Sequence, residues 1–304
     1  MPKTIHIKSI SQFRQLAGLT KPKHPKVSID YGLGWQNMSD LIGKKIASDL
    51  YFIVFKSGNC GHLMYGRNSY DFEGGTLLFF APGQIMQYDG NPEQDFDHKE
   101  EWRLAFHPDL IRASELSNQI NSYSFFNYDT HEGLHVSEDE KHTIEEILSK
   151  ILKEYNQHID KHSQRIIIAN IHLILDYCLR FYDRQFYTRT NLNSDILSKF
   201  ERLLNTYYGT DKVQEFGIPT VNFCASELNL STNYFSDLLR KETGKSAQEH
   251  IHSFIIDKAK NRLLNSSNKV SEIGYSLGFE YPSNFSNLFK AKTGLSPKEF
   301  RNSS

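Results

Sequence analysis

Two sixteen-residue stretches hold the side chains whose types and spacing can do chemistry. Phe235 to His250 (FSDLLRKETGKSAQEH) and Phe285 to Phe300 (FSNLFKAKTGLSPKEF) align at an offset of 50 residues without a gap, and seven of the sixteen pairs are identical. At helical spacing, Phe235, Leu238 and Leu239 form one apolar face, and Phe285, Leu288 and Phe289 form another. The opposite faces hold Thr232, Asn233, Ser236, Asp237 and Arg240 with Lys241, and Ser283, Ser286, Asn287 and Lys290 with Lys292. Short polar side chains early in such a helix can hydrogen-bond base edges, and cations late in it can meet phosphates. The chemistry expected is recognition of double-stranded DNA. One such helix would be matched equally well by an ordinary solvated face, but two copies in register are not.

Other chemistries fit less well. A metal enzyme needs two or three histidines and a carboxylate converging on one cation, whereas Leu50 to Phe106 offers only His62 and His98. His158 and His162 are four apart and could share a helix face, but a zinc-protease helix would need Glu at 159, where Ile stands. Gly74-Gly75 and Pro82-Gly83 read as turns, with no glycine-rich phosphate loop. Cys60, Cys178 and Cys224 are odd in number and far apart, which fits reduced thiols. No cofactor or metal is expected, and the chain is read as not an enzyme.

The elements that must position these helices follow from pattern. The chain has 304 residues, 13% of them aromatic and 23% charged, which suits globular cores. No apolar run reaches the ~20 residues of a membrane span and no signal peptide opens the chain, so a cytoplasmic protein with no membrane contact is expected. Net charge is +2 from Ser194 onward and −3 before it, so charge alone does not point to nucleic acid.

Residues 26 to 107 hold short runs (Leu50 to Phe55, Gly61 to Tyr65, Thr76 to Ala81, Trp102 to Phe106) between turn signals such as Gly66-Arg67-Asn68, Pro82-Gly83 and Asp89-Gly90-Asn91-Pro92, which predicts a small antiparallel barrel or sandwich. From Ser137 the period becomes helical, with Ser137 and Glu140 in capping-box positions ahead of Ile144, Ile147, Leu148, Ile151, Leu152 and Tyr155. Arg165 to Tyr182 is apolar on nearly every side and predicts a helix covered partly by a partner subunit, with Leu175 and Leu179 outward. Asp183 to Asp195 is polar and reads as a linker.

Each copy of the repeat is ordered helix, turn, helix: Val221 to Leu228, Asn229-Leu230, Ser231 to Glu242, and Val270 to Leu277, Gly278-Phe279, Pro282 to Lys292. Ser231 suits a helix cap, Pro282 a first turn, and Gly244 and Gly294 a left-handed stop. Ala247 to Leu264 predicts a connecting helix of about 25 Å, so two reading helices could enter successive major grooves about 34 Å apart.

The run Ile273-Gly274, Leu277-Gly278-Phe279, Asn284-Phe285-Ser286, Phe289-Lys290, Thr293-Gly294-Leu295-Ser296-Pro297 and Phe300-Arg301 closely resembles the C-terminal signature of AraC/XylS-family transcription regulators. The likeness covers about Ile196 to Arg301, with Ile255 and Gly274 standing where Arg and Ala are expected. Tyr65-Gly66-Arg67 and Phe79 to Gln84 resemble, less specifically, the family's cupin-like sensor or dimerisation domain.

The resemblance implies promoter binding, often with activation, through two helix-turn-helix motifs. It also implies RNA polymerase as a partner, a homodimer, and control by a small-molecule effector of unknown identity. The expected fold is α+β multidomain: a cupin-like β-barrel over 1–136, a helical dimerisation segment over 137–185, a linker at 186–193 and an all-α DNA-binding domain over 194–304. A cupin-type metal enzyme with an accessory DNA-binding domain, and a ligand-independent architectural DNA-binding protein, are the alternatives.

Overall fold

The computed structural model describes residues 4–32, 44–57, 74–87 and 100–302. The chain divides into two compact units, Met1–Thr188 and Arg189–Ser304. The expected strand Gly61 to Tyr65, the turns at 66–68 and 89–92, Cys60, His62, His98 and the Tyr65-Gly66-Arg67 likeness lie outside the described residues.

The first unit begins with β1 (Ile5–Ile7), α1 (Ile10–Leu16), β2 (Val27–Tyr31), β3 (Lys45–Ser48), β4 (Tyr51–Lys56), β5 (Thr76–Phe80), β6 (Ile85–Gln87) and β7 (Trp102–Phe106). Then come two short helices, α2 (Pro108–Ile111) and α3 (Leu116–Gln119), strand β8 (Leu134–His135) and two long helices, α4 (Glu138–Tyr155) and α5 (Ser163–Thr188). One sheet has the order β2-β7-β4-β5-β8 and is antiparallel throughout; the other has the order β1-β3-β6, with β1 and β3 parallel. That parallel pair departs from the all-antiparallel expectation, and α1 supplies the crossover region that a parallel pair requires.

Central strand β4 reads as an unbroken apolar run because both of its faces are covered. Phe52 and Val54 join a cluster with Ile10 and Phe13 of α1, Ile46, Leu78 and Ala105. On the other face Phe55 stacks on Trp102 with ring centroids 5.7 Å apart. The N-terminal helix is pinned to the sheet by a buried ion pair, Arg14 with Asp30, and Arg14 also donates to Ser28 Oγ at 2.7 Å and to the Thr20 carbonyl at 2.6 Å.

The capping box predicted at the start of α4 is formed: Ser137 Oγ accepts from Glu140 N at 3.2 Å and the Glu140 carboxylate accepts from Ser137 N at 3.0 Å. The stripe Ile144, Ile147, Leu148, Ile151 and Tyr155 is buried. Facing it, α5 buries Ile167, Ile171, Ile174, Leu175, Cys178, Phe181 and Tyr182, and Tyr182 stacks on Phe125 at 5.4 Å. Leu175, expected to point outward, is therefore inward and fully buried. Ile166, Leu173 and Leu179, each about 40% exposed, form the uncovered side.

The irregular linker expected at 186–193 is helical on both sides of Arg189, since α5 runs to Thr188 and the next helix starts at Thr190. Its polar residues misled the pattern reading because some neighbouring polar side chains are themselves structural. Buried Gln185 accepts from His135 N at 2.8 Å and donates to the Gly133 carbonyl, and Arg184 pairs with Glu140 at 2.7 Å. His158 and His162 lie in the connection between α4 and α5 and share no helix face. Among the described residues no helix is long and apolar enough to cross a membrane.

The second unit is all helical: α6 (Thr190–Tyr208), α7 (Lys212–Phe216), α8 (Val221–Glu227), α9 (Thr232–Thr243), α10 (Ala247–Asn265), α11 (Val270–Ser276), α12 (Pro282–Thr293) and α13 (Pro297–Asn302). Phe200 of α6 meets Phe235 of α9 edge to face at 5.0 Å, and further along α6 Tyr208 donates to the Leu277 carbonyl at 3.4 Å. Helix α10 buries Ile251, Ile255, Ile256, Ala259 and Leu263 between the two helix pairs. Ile255 thus replaces the expected arginine with a core contact.

Candidate nucleic-acid interface

Helices α8 and α9 form the first pair, α11 and α12 the second. The second residue after each leading helix, Asn229 or Gly278, takes a left-handed backbone (φ 56° and 90°), and the next amide closes back on the helix: Leu230 N to Ala225 O at 2.9 Å, Phe279 N to Gly274 O at 3.1 Å. The leading helices are therefore related by 49 residues, whereas the second helices are related by 50. The extra residue is Glu280, so the second turn is one residue longer, which an ungapped repeat confined to the second helices could not reveal.

Gly274, where alanine is expected, has the same place as Ala225. A Cβ there would lie 3.2 Å from the Phe285 ring, so the glycine lets Phe285 pack close to α11.

The second helices of the two pairs start differently. Ser231 caps α9 by accepting from Tyr234 N at 3.2 Å. Tyr281 precedes α12, is exposed and makes no side-chain cap, and Pro282 fills the first turn, where no donor is needed. Both helices stop at glycines in the left-handed conformation, Gly244 (φ 73°) and Gly294 (φ 80°). Thr243 and Thr293 close the last turns by donating to the Leu239 and Phe289 carbonyls at 2.7 and 2.8 Å.

Tyr234, Phe235, Leu238 and Leu239 are buried in α9, and Phe285 and Phe289 in α12. Leu288 is only half-buried, and Tyr234 is an inward residue that the apolar pattern missed. Asn233, Arg240, Lys241, Ser283, Asn287, Lys290 and Lys292 are exposed, while Thr232, Ser236, Asp237 and Ser286 are half-buried. With about 100° per residue, Asn233, Asp237 and Arg240 fall on one line along α9, and Ser283, Asn287 and Lys290 on one line along α12.

Lys292 falls about 200° from Lys290, on the side of Glu249 and His252; hydrogen bonds from Ser246 chiefly lower the proton affinity of Glu249 and burial chiefly lowers that of His252, with Lys292 adding to both. The structure thus separates Lys292 from the other residues expected with it. Thr232 is turned toward α8 and donates to Asn222 Oδ1 at 3.0 Å.

Burial pushes the Cys224 thiol up to about 11 and raises that of buried Cys178 further, so both are poor nucleophiles. Asp129, His131 and Glu132 bring possible ligand atoms within 4.8 Å of one another. They belong to one 3₁₀ turn, whose capping box the Glu132 carboxylate closes by accepting from Asp129 N at 2.7 Å.

Residues 224–303 match the family described as helix-turn-helix domain. The chain is 33% identical over 69 residues to the uncharacterized HTH-type transcriptional regulator YobQ of Bacillus subtilis, covering 23% of this chain and 29% of that protein. It is 32% identical over 77 residues to the HTH-type transcriptional activator RhaS of Escherichia fergusonii, covering 25% of this chain and 28% of that one. The shared stretch thus spans less than a third of these relatives. Among solved structures, the C-terminal domain of the two-component response regulator yesN from Fusobacterium nucleatum shares 26% identity at a TM-score of 0.31, over 35% of this chain and 98% of that one. The repeated helix pairs of the second unit belong to a helix-turn-helix domain of the AraC type, the DNA-binding domain of AraC/XylS-family transcription regulators.

Proposed function

We propose that the chain is a sequence-specific transcription regulator that inserts α9 and α12 into successive major grooves of promoter DNA. The observation that carries this reading is the parallel alignment of Asn233, Asp237 and Arg240 with Ser283, Asn287 and Lys290 on the uncovered sides of two equivalent helices. Polar side chains of this kind suit base edges, and Arg240, Lys241 and Lys290 suit the flanking phosphates. Activation through RNA polymerase is part of the proposal, as is a homodimer built on α5. The sheets of the first unit serve in it as sensor domain for a small-molecule effector. The test is a salt titration of duplex binding by residues 189–304 and by the full chain: affinity falls steeply with salt because phosphate-bound cations release counterions. Absence of duplex binding by both, or binding indifferent to salt, overturns it.

A ligand-independent architectural form is the second reading. It is favoured by α1, whose Ile10 and Phe13 sit in the cluster joining the two sheets while Arg14 is anchored on Asp30.

A further inference from the structure

We propose that Asn233 and Asn287 each select an adenine from positions one helical turn apart in their two helices, so that the bound site carries displaced adenines in its two halves and is not a direct repeat. This rests on the reading of α9 and α12 as groove-entering helices.

The two helices are set alike. Each has 12 residues and stops at a left-handed glycine, and Phe235 and Leu239 are buried in α9 where Phe285 and Phe289 are buried in α12. Matching burial fixes a matching rotation, so residues 50 apart face the same way. Asn233 then corresponds to Ser283, and Asn287 to Asp237. The asparagine on the exposed line of α12 is therefore one turn further along than that of α9, ~6 Å at 1.5 Å per residue. Asn284, the counterpart of buried Tyr234, lies about 100° round from Ser283 and off this line.

The neighbours leave the base-reading work to these amides. Ser236 donates its hydroxyl proton to the Thr232 carbonyl at 2.7 Å, Ser286 donates to the Pro282 carbonyl at 3.0 Å, and Thr232 donates to Asn222 Oδ1 at 3.0 Å. Asp237 already has an interaction within the chain. Asn233 and Asn287 are exposed, and among the described residues neither side chain has a hydrogen-bond partner.

A side-chain amide sets an N–H donor beside a carbonyl acceptor. In the major groove adenine sets the N7 acceptor beside the N6 amino donor, whereas guanine offers two acceptors, cytosine a lone donor, and thymine an acceptor beside a methyl group. Adenine is thus the base that meets both amide groups with two hydrogen bonds. Base pairs rise by about 3.4 Å, so the offset between the asparagines moves the adenine of one half-site by about one or two base pairs relative to its place in the other.

The experiment selects bound duplexes from a randomised pool with the full chain, with the double variant Ser283→Asn, Asn287→Ser, and with Asn233→Ala. The parent pool should carry an adenine in each half-site, favoured roughly tenfold or more over the other bases. The double variant gives α12 the asparagine position of α9. It should change the spacing between the two adenines by about one or two base pairs and leave the other half-site as it was. Asn233→Ala should erase the adenine of one half-site only. Should the double variant fail to fold, as judged by circular dichroism, Asn287→Ala takes its place and should erase the other adenine only.

A parent pool that retains duplexes without an adenine in each half-site, or adenines that stay in place in the variants, would show the proposal wrong while the DNA-binding reading stands. A parent chain that retains no duplex at all overturns both.

Discussion

Gly278 and Gly217 meet backbone against backbone: a Cβ on Gly278 would lie 2.8 Å from the Gly217 carbonyl carbon and 2.9 Å from Ile218 N. Gly278 also has a left-handed φ of 90°, so an added side chain meets strain and collision together. Gly278→Ala should lower the stability of residues 189–304 by about 2 to 4 kcal/mol, read as a lower urea midpoint. Gly244→Ala and Gly294→Ala meet open space and should lose only the left-handed strain, about 1 to 2 kcal/mol. Equal losses at all three positions would show that α7 and α11 do not pack as described.

The buried pair of Arg14 and Asp30 predicts an asymmetric response. Asp30→Ala strands a buried guanidinium and should cost about 3 to 5 kcal/mol, whereas replacing both partners with apolar residues of similar volume should cost far less. Both tryptophans, Trp35 and Trp102, fall within residues 1–188 of the sequence, so tryptophan emission during urea unfolding follows the first unit alone. A double variant as unstable as the single one would contradict the pairing.

His250 sets a pH dependence in the second unit. Its Nε2 lies 2.7 Å from Thr243 Oγ1, whose own proton goes to Leu239. Burial, and then Lys245, hold its proton affinity below the ordinary 6.5, opposed by Glu201 and Glu249. The Phe200 ring packs against it at 6.3 Å. The unfolded chain therefore binds the proton more readily, so stability present above about pH 6.5 is lost as pH falls toward the folded value. His252, lowered by burial and Lys292, acts in the same direction. Urea midpoints of residues 189–304 should fall between pH 7.5 and 5.5, and His250→Gln should flatten that slope. A variant with an unaltered slope would remove His250 from the account.

Base readers and phosphate contacts should separate in binding assays. Asn233→Ala and Asn287→Ala should cost about 1 to 3 kcal/mol on the selected duplex and little on random duplex, while Lys290→Ala should weaken both alike. Lys292→Ala should matter less than Lys290→Ala, because it lies on the α10 side. Equal losses on both duplexes for the asparagine variants would mean that the helix faces are misassigned.

The uncovered side of α5 should carry self-association. Ile166→Asp and Leu173→Asp together should convert residues 1–188 from dimer to folded monomer in sedimentation, since both side chains are about 40% exposed and a two-fold contact would pair each with the same patch on its mate. A parent fragment already monomeric at tens of micromolar rules this out. Leu175→Asp, the variant that the apolar pattern alone would suggest, should instead unfold the unit, because Leu175 is fully buried.

Legibility in the sequence followed the range of the interactions. Caps and stops are local, and Ser137 with Glu140, Ser231, Pro282, Gly244 and Gly294 all stand where their side-chain chemistry requires. The exposed sides of α9 and α12 were readable for the same reason, except that Tyr234 turns inward and that helical spacing carries Lys292 about 200° from Lys290. Long-range pairing was not readable: nothing near Gln185 in sequence announces that its amide serves β8, and nothing near Leu175 distinguishes a side covered by α4 from one left open. The extra Glu280 was hidden because the ungapped repeat covers only the second helices.

Helix α6 extends the packed helical unit beyond the stretch that the family match covers. The matched stretch begins at residue 224, yet Phe200, Leu204, Tyr207 and Tyr208 of α6 are buried, with Phe200 against the first reading helix and Tyr208 bonded to the turn after α11. The stretch matched by the family is thus shorter than the compact unit that α6 completes. A fragment cut at residue 224 would carry the exposed residues of α9 and α12 and lack the beam that both helix pairs rest on.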